Sequence, residues 1–101
     1  MAKKISRSPA TSSKGESKLK ITNELGLHAR AAALFVKTAS GFKSEVVLEK
    51  GDKRVNGKSI MGLLMLAASR GSTLKIKTDG DDASEALQAL ESLVRNKFGE
   101  R

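Results

Sequence analysis

The sequence predicts an α+β domain in which a four-stranded sheet, antiparallel or mixed, is covered on one face by three helices. Two kinds of apolar spacing support this prediction. Apolar residues alternate with polar ones in short segments typical of half-buried strands, and they recur at every third or fourth position in longer segments typical of helices. The predicted order along the chain is strand, helix, strand, strand, helix, strand, helix.

The N-terminal segment, residues 1–17, is predicted to be a disordered extension. It is rich in Ser, Lys and Thr, contains the only proline, Pro9, and has no apolar periodicity. Such a composition buries too little apolar surface to offset the entropy of ordering the chain. A strand is then predicted from Lys18 to Thr22, and residues 18–101 are expected to form one domain.

The next segment predicts a helix followed by a hairpin. The helix runs from about Ala29 to Ala39 and ends before Gly41, because glycine is the usual residue just past a helix end. The strand Glu45–Lys50 then turns back into a short strand, Lys53–Val55. The apolar stripe of this helix consists of Ala32, Phe35, Val36 and Ala39.

A second helix is predicted to begin after Ser59, whose side chain is suited to cap the free N–H groups there. Gly71 is expected to end it. Met61 lies outside the predicted core stripe and has two interpretations, a core residue or part of a small exposed apolar patch. The predicted core stripe consists of Ile60, Leu63, Leu64 and Ala67.

The last strand and helix are predicted from Thr73 onward. Thr73 to Thr78 alternates apolar and polar residues, and Asp82 with Glu85 three positions later has the spacing of a capping box at a helix start. The stripe of the final helix consists of Ala83, Ala86, Leu87, Leu90 and Val94.

Composition excludes several classes of function. The chain has no cysteine, which excludes disulfides and thiolate catalysis, and a single histidine argues against a histidine-built metal site. No metal and no cofactor are therefore expected. No apolar run approaches the length of a membrane span. The basic N-terminus is not followed by the apolar segment that a signal peptide requires. We expect a soluble, cytoplasmic protein without a membrane partner.

The net charge of +8 raises the alternative of a small basic nucleic-acid-binding domain. Five basic residues and one acidic residue fall within residues 1–18, and the remaining basic residues are scattered. The chain also lacks Trp and Tyr, which single-strand binders use for stacking. A basic tail on a mildly basic domain is the simpler description, and no nucleic-acid partner is expected.

The strongest candidate site is His28, the only histidine, at the predicted start of the first helix. The first N–H groups of a helix have no partners within it, and such an end binds anions readily. The alternative is that a lone histidine at this place is only a helix cap. An imidazole that is largely neutral near pH 7 keeps a nucleophilic ring nitrogen. The N–H groups of Ala29 and Arg30, with the Arg30 guanidinium, are predicted to stabilise a phosphoryl group on that ring.

Two motifs in register carry a resemblance to a known family. Gly26-Leu27-His28-Ala29-Arg30-Ala31-Ala32 and Val55-Asn56-Gly57-Lys58-Ser59-Ile60-Met61-Gly62 closely resemble the histidine-containing phosphocarrier proteins (HPr). The resemblance covers about residues 18–99. It implies an open-faced β-sandwich with a four-stranded antiparallel sheet and three helices on one side.

The resemblance also implies a role in the phosphoenolpyruvate-dependent phosphotransferase system. His28 would accept a phosphoryl group on Nδ1 from enzyme I and pass it to an enzyme IIA-type acceptor, with Arg30 beside it. Ser59 matches the serine that an HPr kinase/phosphorylase modifies in some members. The residues expected to dock partners are Leu27, Met61 and Leu64.

The resemblance leaves the branch of the family open. Asn23-Glu24-Leu25-Gly26 looks more like the nitrogen-related NPr branch, whereas Ser59-Ile60-Met61-Gly62 looks like the serine-regulated sugar branch. Ala31 stands where many members have proline. We expect a monomeric, stoichiometric carrier that is not itself an enzyme, in sugar uptake or its regulation. The alternative within the family is a regulatory NPr-like adaptor without a transport role.

Overall fold

A computed structural model describes residues 13–101. Its elements follow the predicted order, with one short 3-10 turn added near the C-terminal end. They are β1 (Ser13–Lys20), α1 (Ala29–Ser40), β2 (Glu45–Lys50), β3 (Lys53–Asn56), α2 (Ile60–Met65), β4 (Thr73–Gly80), α3 (Ala83–Arg95) and the 3-10 turn Lys97–Gly99.

The four strands form one antiparallel sheet in the order β1-β4-β2-β3. The predicted fold class is thereby confirmed, with an antiparallel rather than a mixed sheet. The register places Leu19 opposite Leu74 and Leu48 opposite Ile76. Since side chains alternate between the faces of a strand, these residues share one face.

The helices cover that face and close a single aliphatic core. Its largest fully buried side chains belong to both layers, among them Phe35, Leu48, Leu63, Leu74, Ile76 and Leu90. On the opposite, uncovered face, Lys77 Nζ lies 3.2 Å from a carboxylate oxygen of Glu49. The hydrogen bond from Lys77 and the charge of Lys75 hold the pKa of Glu49 below its usual range. None of the helices within residues 13–101 is long and apolar enough to cross a membrane.

The sheet begins earlier than predicted. Ser13–Lys20 pairs along its whole length with β4, so residues 13–17 are strand and their assignment to a disordered extension was wrong. The pairing is made by backbone groups, which explains why a polar segment without apolar alternation becomes a strand. The remainder of the predicted extension, residues 1–12, lies outside the described residues.

Helix α2 is shorter than predicted and buries a different face. It ends at Met65 rather than near Gly71, and Ala67 has a left-handed backbone with φ of 51°. The helix therefore ends before the predicted apolar stripe does. Of the predicted stripe, Leu63 is buried, whereas Ile60 and Ala67 are exposed.

The predicted capping box at the start of α3 does not form. Asp82 occupies the N-cap position of α3 but makes no side-chain bond to that helix. Its carboxylate instead accepts hydrogen bonds from the backbone N–H groups of Lys43 and Ser44 and from the Ser44 hydroxyl. These bonds lower the pKa of Asp82 to about 2. Asp82 thus ties the loop before β2 to the start of α3.

Candidate functional site

His28 is the N-cap residue of α1. Its backbone is extended (φ −84°, ψ −176°), and its carbonyl oxygen accepts the first helical bond from the Ala32 N–H at 2.8 Å. Its Nδ1 accepts from the N–H of Arg30 at 3.3 Å, a long hydrogen bond. The side chain is 26% exposed. Nδ1 therefore faces the N-terminal end of the helix, whose first N–H groups have no partners within the helix.

The preceding loop fixes the approach of His28 to the helix. Leu27 donates its backbone N–H to the Ala68 carbonyl at 2.8 Å, and Gly26 has a left-handed backbone with φ of +66°. A Cβ atom at Gly26 would lie 2.6 Å from the Ala68 carbonyl oxygen, so this close approach requires glycine. The loop before α1 is thereby held against the segment after α2.

The other ring nitrogen of His28 contacts a carboxylate that sequence reasoning missed. Nε2 lies 2.8 Å and 2.9 Å from the two oxygens of Glu100. A carboxylate only accepts hydrogen bonds, so Nε2 carries a proton and Nδ1 of the neutral ring keeps its lone pair. The hydrogen bonds from His28 and Asn23 hold the pKa of Glu100 below its usual range. No pattern around Glu100 in the sequence signals this contact.

Of the other predicted phosphate-binding groups, the Arg30 N–H contacts Nδ1 within the described residues. Ala29 and Arg30 supply the first N–H groups of α1, and both residues are exposed. Within residues 13–101 the Arg30 guanidinium makes no ion pair, so its donors face solvent. A shallow depression beside the ring is lined by Leu25, Leu27, His28, Ala67, Ala68 and Ser69. The arrangement combines Nδ1, which accepts a long bond from the Arg30 N–H, with an Arg30 guanidinium that makes no ion pair within residues 13–101.

Ser59 is the N-cap of α2, and the predicted capping is confirmed: its Oγ accepts from the Gly62 N–H at 3.0 Å. Beside it, three large apolar side chains of α2 are exposed, and we call them the apolar surface: Ile60 (42% exposed), Met61 (67%) and Met65 (70%). Of the two interpretations of Met61, the exposed one is correct.

The other two predicted docking residues are placed differently. Leu27 is 5% exposed and belongs to the core, so the prediction that it contacts partners is wrong. Its apolar side chain anchors the loop before His28. Leu64 is partly buried and packs against the core, which leaves Met61 as the one exposed residue of the predicted three.

Within the described part of the chain, no group of three or more acidic or histidine side chains gathers in a way suited to a metal ion.

Comparisons with known proteins show which family the chain is similar to. The family model PTS-HPr, described as "PTS HPr component phosphorylation site", matches residues 16–96. The phosphocarrier protein HPr of Neisseria meningitidis is 57% identical over 82 residues, which is 81% of this chain and 92% of the relative.

Solved structures give the same result. A crystal structure of HPr from Thermoanaerobacter tengcongensis is similar with a TM-score of 0.83 and 50% identity, and the match covers 86% of this chain and 98% of that one. A crystal structure of an HPr dimer from the same organism has a TM-score of 0.70 and 52% identity, covering 81% and 94%. The chain therefore belongs to the HPr family, the phosphocarrier proteins of the phosphotransferase system.

Proposed function

We propose that His28 accepts a phosphoryl group on Nδ1 from enzyme I, in the phosphoenolpyruvate-dependent relay, and passes it to an enzyme IIA-type acceptor. One observation carries this proposal. The only histidine of the chain caps α1 with Nδ1 turned toward the Arg30 N–H at the helix start and Nε2 turned toward Glu100.

The transfer step follows from this arrangement. The Nδ1 lone pair attacks the phosphorus atom of the donor, a P–Nδ1 bond forms, and the donor's bond to phosphorus breaks with its electron pair. No proton has to move, because Nε2 already carries one. The N–H groups of Ala29 and Arg30 and the Arg30 guanidinium bind the phosphoryl oxygens, which spreads and stabilises the charge of the transferred group.

Partner docking is proposed for the surface beside the site. Met61, which the sequence singled out, is exposed together with Ile60 and Met65, and exposed apolar groups of this kind mark protein interaction sites. We place enzyme I and the acceptor on this apolar surface in turn. A carrier that must bind several partners at one place benefits from methionine, because its side chain adapts to different shapes.

Ser59 is proposed as a regulatory phosphorylation site for an HPr kinase/phosphorylase. Its side chain is half-buried at a helix start and next to Met61 in the apolar surface. A phosphate there is compatible with the positive end of the helix, while its charge opposes docking on the apolar surface. Modification would thus weaken partner binding without unfolding α2.

The protein is proposed to act as a cytoplasmic monomer that is phosphorylated and dephosphorylated stoichiometrically and turns over no substrate alone. The dimer in the comparisons is a property of the Thermoanaerobacter protein. Sedimentation of this chain with and without bound phosphate measures its own state.

The regulatory alternative is an NPr-like adaptor that binds partners without passing phosphate on. A phosphorylated form that fails to phosphorylate any enzyme IIA-type acceptor would favour the adaptor. The nucleic-acid alternative has less support, because acidic residues are interspersed among the lysines of the uncovered sheet face. Glu49, for example, pairs with Lys77 and Lys75.

The proposal is tested by incubating the protein with enzyme I and phosphoenolpyruvate. One acid-labile, base-stable phosphate per chain is expected, and His28→Ala is expected to abolish it. Ser59→Ala serves as the control and should be labelled like the unmodified protein. Labelling that survives His28→Ala would contradict the site assignment.

A further inference from the structure

The C-terminal segment reaches the site through an unusual backbone. Lys97, Phe98 and Gly99 all have left-handed conformations, with φ of 58°, 56° and 74°. Residues other than glycine seldom adopt this region, and such conformations cluster where a structure holds a functional group in place. Phe98 is 4% exposed and packs in the core, so its burial holds the turn. The turn directs Glu100 back over the start of α1.

Two further contacts fix this segment independently of His28. The Glu24 N–H donates to the Arg101 carbonyl at 2.6 Å, and Asn23 Nδ2 donates to Glu100 Oε1 at 2.9 Å. Asn23 is fully buried, and its amide also donates to the Gly26 carbonyl at 2.8 Å. Its Oδ1 has no hydrogen-bond partner within residues 13–101. The Asn23 amide is thus oriented so that its Nδ2 donates to two acceptors, while its Oδ1 accepts no hydrogen bond within residues 13–101.

We propose that Glu100 is a positioning residue for phosphoryl transfer: it holds His28 in the tautomer with a free Nδ1 and balances the positive charge that the ring gains on phosphorylation. This inference rests on the proposed function of His28. It concerns a residue outside the stretch matched by the family model, which ends at residue 96.

The chemistry assigns Glu100 two separable roles. Before transfer, the neutral ring needs its proton on Nε2, and the two Glu100 oxygens at 2.8 and 2.9 Å accept that proton's hydrogen bond. When the P–Nδ1 bond forms, the ring still carries the Nε2 proton and becomes an imidazolium. The adjacent carboxylate compensates this charge, as a carboxylate does for the imidazolium of a catalytic triad. When the phosphoryl group leaves, the electron pair of the P–N bond returns to Nδ1 and the ring is neutral again.

Substitutions of Glu100 separate the two roles. In Glu100→Gln, the amide oxygen takes the place of Oε1, which accepts from both His28 and Asn23, and a small rotation turns the amide NH2 away from Nε2, so one hydrogen bond remains and the charge is lost. In Glu100→Ala both are lost. Glu24→Gln is the matched control: it removes the same charge from an exposed side chain four residues before His28 and keeps the backbone bond to Arg101.

The experiment measures two quantities on each full-length variant. Nitrogen chemical shifts of the imidazole report the tautomer, and rapid-quench labelling with enzyme I and phosphoenolpyruvate reports the rate of His28 phosphorylation. We expect Glu100→Gln to keep the Nε2–H tautomer and to lose about tenfold in rate. Glu100→Ala should lose at least as much rate and shift the neutral ring toward a mixture of tautomers. Glu24→Gln should match the unmodified protein in both.

The outcomes distinguish this inference from the proposed function. Rates within twofold of the unmodified protein in both Glu100 variants would overturn the positioning role, whatever the tautomer, while His28 labelling would still support the carrier. Equal slowing in Glu24→Gln would also overturn it, because the loss of a nearby negative charge, rather than of the contact with Nε2, would then explain the slower rate. Loss of the proposed function itself would appear as labelling that persists in His28→Ala.

Discussion

The starts of α1 and α3 use the same position of a helix in opposite ways. His28 caps α1 with a single long side-chain bond, from the Arg30 N–H to Nδ1 at 3.3 Å, and stays 26% exposed. Asp82, at the corresponding position of α3, gives its helix no side-chain bond, and its carboxylate accepts three hydrogen bonds from Lys43 and Ser44.

This difference distinguishes a helix start that is proposed to bind a phosphoryl group from one that supports the fold. A helix N-terminus binds anions only where its donors are accessible and not already engaged. At α3 the Asp82 carboxylate occupies the N-cap position, where its negative charge repels an anion, and its hydrogen bonds join the start of the helix to the loop before β2. At α1 a neutral side chain occupies the position, and the capacity for an anion remains. Substitutions at the start of α1 should therefore slow phosphoryl transfer, whereas substitutions at the start of α3 should lower the stability of the fold.

Gly26→Ala should have the largest effect, because it disturbs the α1 start and the fold together. Alanine at φ +66° costs about 1–2 kcal/mol from the backbone alone, and its Cβ would lie 2.6 Å from the Ala68 carbonyl oxygen. We expect a lower free energy of unfolding in urea and slower His28 labelling. Gly51→Ala is the matched control, with φ of +61° and open space around its Cβ. Equal effects on labelling from both variants would contradict a role of the Gly26 loop in positioning His28.

Arg30→Ala should slow transfer without unfolding the protein. Its guanidinium makes no ion pair within residues 13–101, so stability has little to lose. Loss of one charge-assisted contact to the phosphoryl group corresponds to about 1.4 kcal/mol, or roughly tenfold in rate. Arg30→Lys, which keeps the charge but not the planar fork, should recover part of the rate. Rapid-quench labelling and thermal unfolding measure the two effects, and unchanged kinetics in Arg30→Ala would remove this residue from the mechanism.

Asp82→Asn should show the reverse pattern, with lower stability and normal labelling of His28. The folded-state pKa of Asp82 is lowered from 3.8 to about 2 by its bonds to Ser44 and Lys43. A lowered pKa means that the ionised group stabilises the fold above about pH 4 and that this contribution is lost as the pH falls toward 2. The difference in Tm between the unmodified protein and Asp82→Asn should therefore shrink over that range.

The adjacent exposed Asp81 provides the control for this measurement. Asp81→Asn removes the same charge, but Asp81 lacks the bonds to the loop before β2. A Tm difference as large for Asp81→Asn as for Asp82→Asn would show that net charge, rather than the tie between the two segments, explains the effect.

Substitutions of Ser59 should have the smallest effect, and they distinguish a helix-capping role from a regulatory one. Ser59→Ala removes the acceptor of the Gly62 N–H and should cost about 1 kcal/mol of stability, with unchanged labelling of His28. Ser59→Asp keeps an acceptor at the helix start and adds a charge beside the apolar surface, so enzyme I-dependent labelling should slow. Equal labelling rates for the two variants would leave Ser59 as a cap only.

Features that depend on neighbouring residues were predictable from the sequence. The alternation of Leu74 and Ile76 predicts their burial in β4, and the positions of His28 and Ser59 predict two helix starts. These signals are local, because caps and apolar periods are set within one or two turns of chain.

Features that depend on distant contacts were not predictable. Residues 13–17 become strand because β4, far along the chain, supplies backbone partners. Helix α2 stops early at a left-handed Ala67, a conformation that no local pattern demands of alanine. Glu100 lies 72 residues from His28 and reaches it through left-handed Lys97 and Phe98. The sequence therefore predicts His28 as the candidate nucleophile but not the carboxylate that contacts its ring.

The central claim is that the accessible Nδ1 of His28, at the free start of α1, carries the phosphoryl group. Phosphorus–nitrogen correlation NMR of the protein phosphorylated by enzyme I tests it most directly. We expect phosphorus coupled to Nδ1 of His28, with the proton still on Nε2 beside Glu100. Phosphorus on Nε2, or on any residue other than His28, would contradict it.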